Sequence, residues 1–193
     1  MVQLTKLINP PFNKRHWQLV AGTILGGSSL IKPKNGKHYY LSMRGKNGKW
    51  LEYKANWLMN FASLEPFTKE KTNRWHSLCF PVFDQFTDIF YKDGKRHLNA
   101  EQLSTQLWDF ALMVWYGDCG NYDGQLTLNT HIWGEQGSVA IVEYFALCGW
   151  EAEIIKDRTY YRVRLDKDSS LRFFQTIQHE LPGTGLNLTQ RQI

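Results

Sequence analysis

Gln125, Thr127, Asn129 and His131 recur at every second position, with Leu126 and Leu128 between the first three. A strand turns successive side chains to opposite faces, so this spacing gathers the four polar groups on one side. Gln and Asn carboxamides make paired hydrogen bonds to an adenine edge, and a Thr side chain meets a base edge or a thymine methyl. That is the chemistry of reading a major groove. Antiparallel sheets also turn plain polar faces to water, so the alternation alone fits either use. A second set is rich in basic groups. Lys32, Lys34, Lys37, His38, Tyr40, Ser42 and Arg44 run through a predicted hairpin, Arg74 and His76 fall on a later strand, and Arg158, Arg162 and Arg164 belong to the last hairpin. Arg162 and Arg164 lie two apart and share a side with Tyr160, where guanidinium groups can meet phosphates.

The charge distribution points the same way. The 193-residue chain carries a net +5, and no Asp or Glu precedes Glu52. Nine of the 23 basic residues fall in that stretch, which leaves 14 basic against 18 acidic residues in the remainder. A basic region in a protein of modest net charge is the electrostatic footprint of a phosphate-backbone binder. Cys79, Cys119 and Cys148 show no C-x-x-C spacing, which argues against a zinc site or a disulfide scaffold and fits a reducing, intracellular compartment. The N-terminus, with Pro10, Pro11 and a Lys-Arg-His run, offers no signal-peptide core, and no apolar run approaches about 18 residues. The histidines are not spaced as metal ligands, and Trp75, Trp108, Trp115, Trp133 and Trp150 are expected in the core.

Two helices must position these strands. Trp17–Gly26 is a predicted helix whose Ala21, Gly22 and Gly26 let another backbone approach closely, and a second predicted helix, capped by Ser104, runs to Gly117. After the first come Ser28–Ile31, a turn at Pro33–Gly36, a strand at His38–Arg44, a helix at Leu51–Phe61, a strand at Asn73–Phe80 and a helix at Val82–Tyr91 that Asp93-Gly94 ends. After the second come a strand at Gln125–Ile132, a helix at Ser138–Leu147, a hairpin of Glu151–Lys156 and Tyr160–Leu165, and a helix at Ser169–Leu181. The fold class read from this order is α+β: two αββαββα repeats in a pseudo-twofold arrangement with antiparallel sheets. The expected division is an arm over 1–16, repeats over 17–92 and 105–181, a linker over 93–104 and a tail over 182–193.

Four segments carry a family resemblance. Leu19-Val-Ala-Gly-Thr-Ile-Leu-Gly-Gly-Ser28 and Ala111-Leu-Met-Val-Trp-Tyr-Gly-Asp-Cys-Gly120 share a layout, Leu126-Thr-Leu-Asn-Thr130 follows the second, and Phe90-Tyr-Lys-Asp-Gly-Lys-Arg96 precedes it. From about Trp17 to Leu181 the chain resembles the LAGLIDADG homing endonucleases in their single-chain, two-repeat form. The resemblance implies that the two motif helices pack together, that the antiparallel sheets form a nucleic-acid-binding saddle over the duplex, and that an acid near each helix end holds Mg²⁺ at the scissile phosphates. Aligned on Ala21-Gly22, the first acid position falls on Gly27; the second falls on Cys119, a soft ligand ill suited to Mg²⁺. Asp118 is the motif carboxylate that remains and the candidate catalytic and metal-binding residue. Lys95, beside Arg96, is the candidate basic residue near the reacting water. The implied partner is a long double-stranded DNA site bound by a monomer with internal pseudo-symmetry, with metal-dependent cleavage left open. Two alternatives on the same scaffold stay open as well: a non-enzymatic maturase of intron RNA, and a DNA-binding regulator.

Overall fold

A computed structural model describes residues 10–45, 47–69, 73–184 and 186. The first repeat contains α1 (Lys14–Leu25), β1 (Ser29–Ile31), β2 (Tyr40–Gly45), α2 (Gly48–Trp57), β3 (Ala62–Lys69), β4 (Asn73–Ser77) and α3 (Thr87–Phe90), the last entered through a 3-10 turn at Pro81–Phe86. A short hairpin, β5 (Tyr91–Lys92) and β6 (Lys95–Arg96), and α4 (Ala100–Gln106) lead to the second repeat. That repeat contains α5 (Asp109–Cys119), β7 (Gly120–Tyr122), β8 (Leu126–Asn129), α6 (Gly134–Leu147), β9 (Ala152–Asp157), β10 (Tyr160–Leu165) and α7 (Lys167–Ile177). The sheets have matching strand orders, β1-β2-β4-β3 and β7-β8-β10-β9, and every described pairing is antiparallel. The expected α+β fold with two αββαββα repeats is the fold observed.

The core is centred on α1 and α5. Leu19, Val20, Ala21, Ile24 and Leu25 of α1, with Ala111, Met113, Val114 and Trp115 of α5, are fully buried. Each such side chain taken out of water contributes about 1.5–3 kcal/mol for the larger aliphatics. Small residues set how closely the helices approach. A Cβ on Gly22 would overlap the Ala111 carbonyl oxygen and lie 2.9 Å from Val114 Cβ, and one on Gly26 would overlap Asp118 Cβ. Because Gly22 meets Ala111 and Gly26 meets Asp118, the helices run in the same direction and their C-terminal ends lie side by side.

Local chemistry moves several boundaries from their predicted places. Asn13 accepts from the His16 N–H (3.0 Å) while its own N–H donates to His16 Nδ1 (3.1 Å), and this reciprocal cap starts α1 three residues early. Ser104 does not cap the motif helix: its hydroxyl donates to the Glu101 carbonyl inside α4, which Asn99 caps. The chain breaks between α4 and α5 because the buried Gln18 amide clamps it, donating to the Gln106 carbonyl (2.7 Å) and accepting from the Trp108 N–H (2.7 Å). Trp108 is consequently 45% exposed with Lys14 above its ring, not in the core where it was expected. Asp93-Gly94 does more than end a helix. Both residues have positive φ (52° and 71°), the geometry of a type I′ hairpin turn, and they join β5 to β6. The predicted strand through Ile132 stops at Asn129, and a 3-10 turn takes over at His131–Trp133. Parts of the expected arm and tail lie outside the described residues.

The tight helix contact makes Gly22→Ala costly: it should destabilise the protein by about 2 kcal/mol and lower the thermal midpoint by roughly 4–8 °C. Gln175→Ala, on the exposed face of α7, should change stability by less than about 0.5 kcal/mol in the same melting experiment.

Candidate nucleic-acid interface

The ladder registers put specific residues on the open face of each sheet. In the first sheet Ser29, Ser42 and His76 form one rung, and Arg44 opposes Arg74 on another. In the second, Asn121, Thr127, Arg164 and Glu153 form one rung, and Asn129, Arg162 and Ile155 the next. The opposite face carries Met43 and Trp75 in the first sheet and Leu128 and Val163 in the second, all buried. Arg162 and Arg164 project to the same side as expected.

Individual residues differ in how they are held. Arg44 and Arg162 are exposed, while Arg74, Arg164, Thr127, Gln125 and Tyr40 are half-buried. Ser42 lies on the open face but is 4% exposed, between Ser29 and His76, so its hydroxyl is not available at the surface of the free protein. His76 stacks edge-on against Tyr40, with ring centroids 5.9 Å apart; burial, then the Arg74 and Arg44 guanidinium groups, hold its imidazole below the usual value. Asn129 donates to the Cys119 carbonyl (3.2 Å), tying β8 to the end of α5. His131 has left the strand and sits exposed, 5.7 Å from the Tyr160 ring. Lys34 and Lys37 are exposed around the predicted turn, which the Gly36 N–H closes on the Pro33 carbonyl (2.9 Å). Lys32 lies over Tyr39, and His38 is anchored to Asp84 (2.7 Å) in the 3-10 turn. Arg158 takes a positive φ (57°) at the tip of the last hairpin.

The two motif ends meet at the centre, between the sheets. The end of α1 is closed by a paired-hydrogen-bond terminus: the Ser28 N–H donates to the Thr23 carbonyl and the Gly27 N–H to the Ile24 carbonyl, both 3.1 Å. Gly27 has a φ of 120°, outside the left-handed well that Asp tolerates. Arg96 crosses this end, donating to the Ser28 carbonyl (2.7 Å) and Ser29 Oγ (3.0 Å), while the Trp133 indole N–H donates to the Leu25 carbonyl (3.0 Å). Lys95 alternates with Arg96 along β6 and shares the outward face with Lys92; both are exposed. At the end of α5, Asp118 receives Lys54 Nζ on both oxygens (2.5 and 2.7 Å) and Trp50 Nε1 on Oδ1 (2.6 Å). The Lys54 and Asp118 side chains are 1% and 6% exposed.

A Mg²⁺ ion asks for several hard oxygen ligands. Gly27 supplies no side chain, Cys119 supplies sulfur, and the Asp118 oxygens are engaged by an ammonium and an indole. Among the described residues no three His, Cys, Asp or Glu side chains group as a metal site. The residues at the motif ends therefore do not fit Mg²⁺. Trp50 and Lys54 escaped the sequence reading, although their four-residue spacing puts them on one helix face. Glu153, the acid on the open face beside Arg164, also escaped it; the alternation along β9 is its one sequence signal.

The LAGLIDADG DNA endonuclease family pattern matches residues 17–173, and the chain belongs to this family. The fold is similar to that of the homing endonuclease I-WcaI bound to its DNA recognition sequence: 17% identity over 93% of this chain and 90% of that one, with a TM-score of 0.80. It is similar also to I-DmoI in complex with DNA and Mn, at 12% identity over 85% of this chain and 96% of that one (TM-score 0.57). The N-terminal LAGLIDADG domain of DUF199/WhiA matches at 14% identity over 95% of this chain and 89% of that one (TM-score 0.55). No curated protein matches the chain in sequence. Among the described residues no helix is long and apolar enough to cross a membrane.

The nearest heavy atom to a Cβ built on Gly27 is Ile132 Cδ1 at 4.0 Å, so space is open and backbone strain alone opposes a side chain there. Gly27→Ala and Gly27→Asp should therefore each destabilise the protein by about 1–3 kcal/mol, and by similar amounts. Paired chemical denaturation curves check this; a much larger loss for Asp alone would point to charge rather than strain.

Proposed function

We propose that this protein, as a monomer, binds a long stretch of double-stranded DNA along its two concave sheets and holds it without cutting it. The observation that carries the reading is the presence of basic side chains on the open face of both sheets: Arg44 and Arg74 share a rung of the first, and Arg162 and Arg164 lie on successive rungs of β10 in the second. Thr127, Asn129 and Gln125 lie beside the second pair and supply the groups that read base edges, while Lys32, Lys34, Lys37 and Arg158 lie at hairpin turns suited to flanking phosphates. His38, His76, His131 and Tyr40 are supporting positions of the same surface, and Ser42 lies buried between Ser29 and His76. Asp118 and Lys95 are the residues on which a nuclease reading would rest. The ion pair at Asp118 and the outward course of Lys95 favour binding alone.

Selection of bound duplexes from a randomised library tests the proposal, followed by incubation of the enriched duplexes with Mg²⁺ or Mn²⁺. The expected result is a long enriched site that stays intact. Metal-dependent cuts that disappear in Asp118→Asn would overturn the non-cutting part, and absence of duplex enrichment with retention of folded intron RNA would favour the maturase alternative. Arg162→Glu and Arg164→Glu should each weaken duplex affinity at least about five-fold and flatten its salt dependence, with little change in the thermal melt. Unchanged affinity in both would remove the last hairpin from the interface.

A further inference from the structure

We infer that Arg96 and Lys54 stand as resident cations at the ends of α1 and α5, so that the duplex is held there without any divalent ion. The inference rests on the duplex-binding reading above. It begins with the electrostatics of two parallel helices whose C-terminal ends meet. Each end is the negative pole of its helix dipole, a poor neighbour for phosphates. Asp118 adds a full negative charge at the same place. A duplex crossing this centre therefore needs positive charge supplied there.

The chain supplies it from two separate elements. Arg96, from the hairpin between the repeats, reaches the Ser28 carbonyl and Ser29 Oγ, and its guanidinium lies 5.0 Å from the Trp133 ring centroid. An arginine stays charged even when half-buried. Lys54, from α2, neutralises Asp118 through both carboxylate oxygens inside the protein. The acid positions themselves contribute no carboxylate, since they are Gly27 and Cys119. The centre thus has a neutral ion pair at one helix end and a net cation at the other, with its charge fixed by covalent groups.

Two arms on the full-length chain test this. In the first, Tb³⁺ probes for a hard-cation site. Trp50 Nε1 lies 2.6 Å from Asp118 Oδ1, so an ion held by Asp118 would emit on indole excitation. The expected result is no saturable emission that distinguishes the wild type from Lys54→Met/Asp118→Asn, which removes both charges together. Saturable emission abolished by that double substitution would overturn the inference, whether or not the chain binds DNA. In the second arm, affinity for a duplex enriched in the absence of divalent ions is measured in EDTA, Ca²⁺ and Mg²⁺ at one ionic strength. Affinities within about two-fold of each other are expected, and a gain of about ten-fold or more with Ca²⁺ overturns the inference. Arg96→Met should reduce the slope of log affinity against log salt by about one, Arg96→Lys should keep it, and Arg172→Met, on α7, should leave it unchanged. An unaltered slope in Arg96→Met removes Arg96 from the role. Failure of the wild type to bind any duplex refutes the duplex-binding reading instead, and the Tb³⁺ arm still decides the inference.

Discussion

The close approach of α1 and α5 is the constraint on which the remaining structure depends. Gly22 and Gly26 let the backbones meet where any larger residue would overlap Ala111 or Asp118. Because the two helices run in the same direction, their ends arrive together, and each sheet starts within a few residues of its helix. β1 begins at Ser29 after α1 ends at Leu25, and β7 begins at Gly120 directly after Cys119. The positions of both open faces are thus fixed by the close approach of the two helices at Gly22 and Gly26. This is why two repeats with little local similarity in their strands still present sheets of matching strand order.

Polar bonds across that contact hold the halves in register. Lys54 of the first repeat reaches Asp118 of the second, and Trp133 of the second reaches the Leu25 carbonyl of the first. Gln18 fastens the linker to α1 through both ends of its amide. A buried ion pair adds little net stability over apolar packing but is costly to break one-sidedly. Its value here is geometric, since Asp118 sits directly beside Gly26, where a shift of either helix would strand the charge.

Periodicity and punctuation made the architecture legible in the sequence. The paired motif helices, the alternation through Gln125–Asn129 and the turns at Pro33–Gly36 and Asp157–Thr159 each depend on neighbouring residues, and neighbours are what a sequence displays. What escaped depends on partners far along the chain. Lys54 and Asp118 are 64 positions apart, and nothing local marks them as a pair. Trp108 has a core composition but is pulled to the surface by Gln18, which is 90 positions away. Ser42 has the right strand parity for the open face, yet its depth is set by the neighbouring strands. Parity predicts direction; only packing determines exposure.

Gly27 and Cys119, which stand where the family resemblance places an acid, differ physically, and the difference bears on what chemistry each motif end could carry. Cys119 is an ordinary helical residue whose carbonyl serves Asn129, so its departure from an acid is confined to one side chain. Gly27 is the residue after the cap of α1, held at a φ of 120° by the bonds that close the helix and overlain by Arg96 on the adjoining carbonyl. A side chain there has open space around its Cβ but carries the strain of that backbone conformation. The second repeat is therefore one substitution from an acid, while the first is separated from it by backbone strain as well. The non-cutting reading proposed above therefore rests most firmly on the first repeat, where the backbone rather than one side chain opposes an acid.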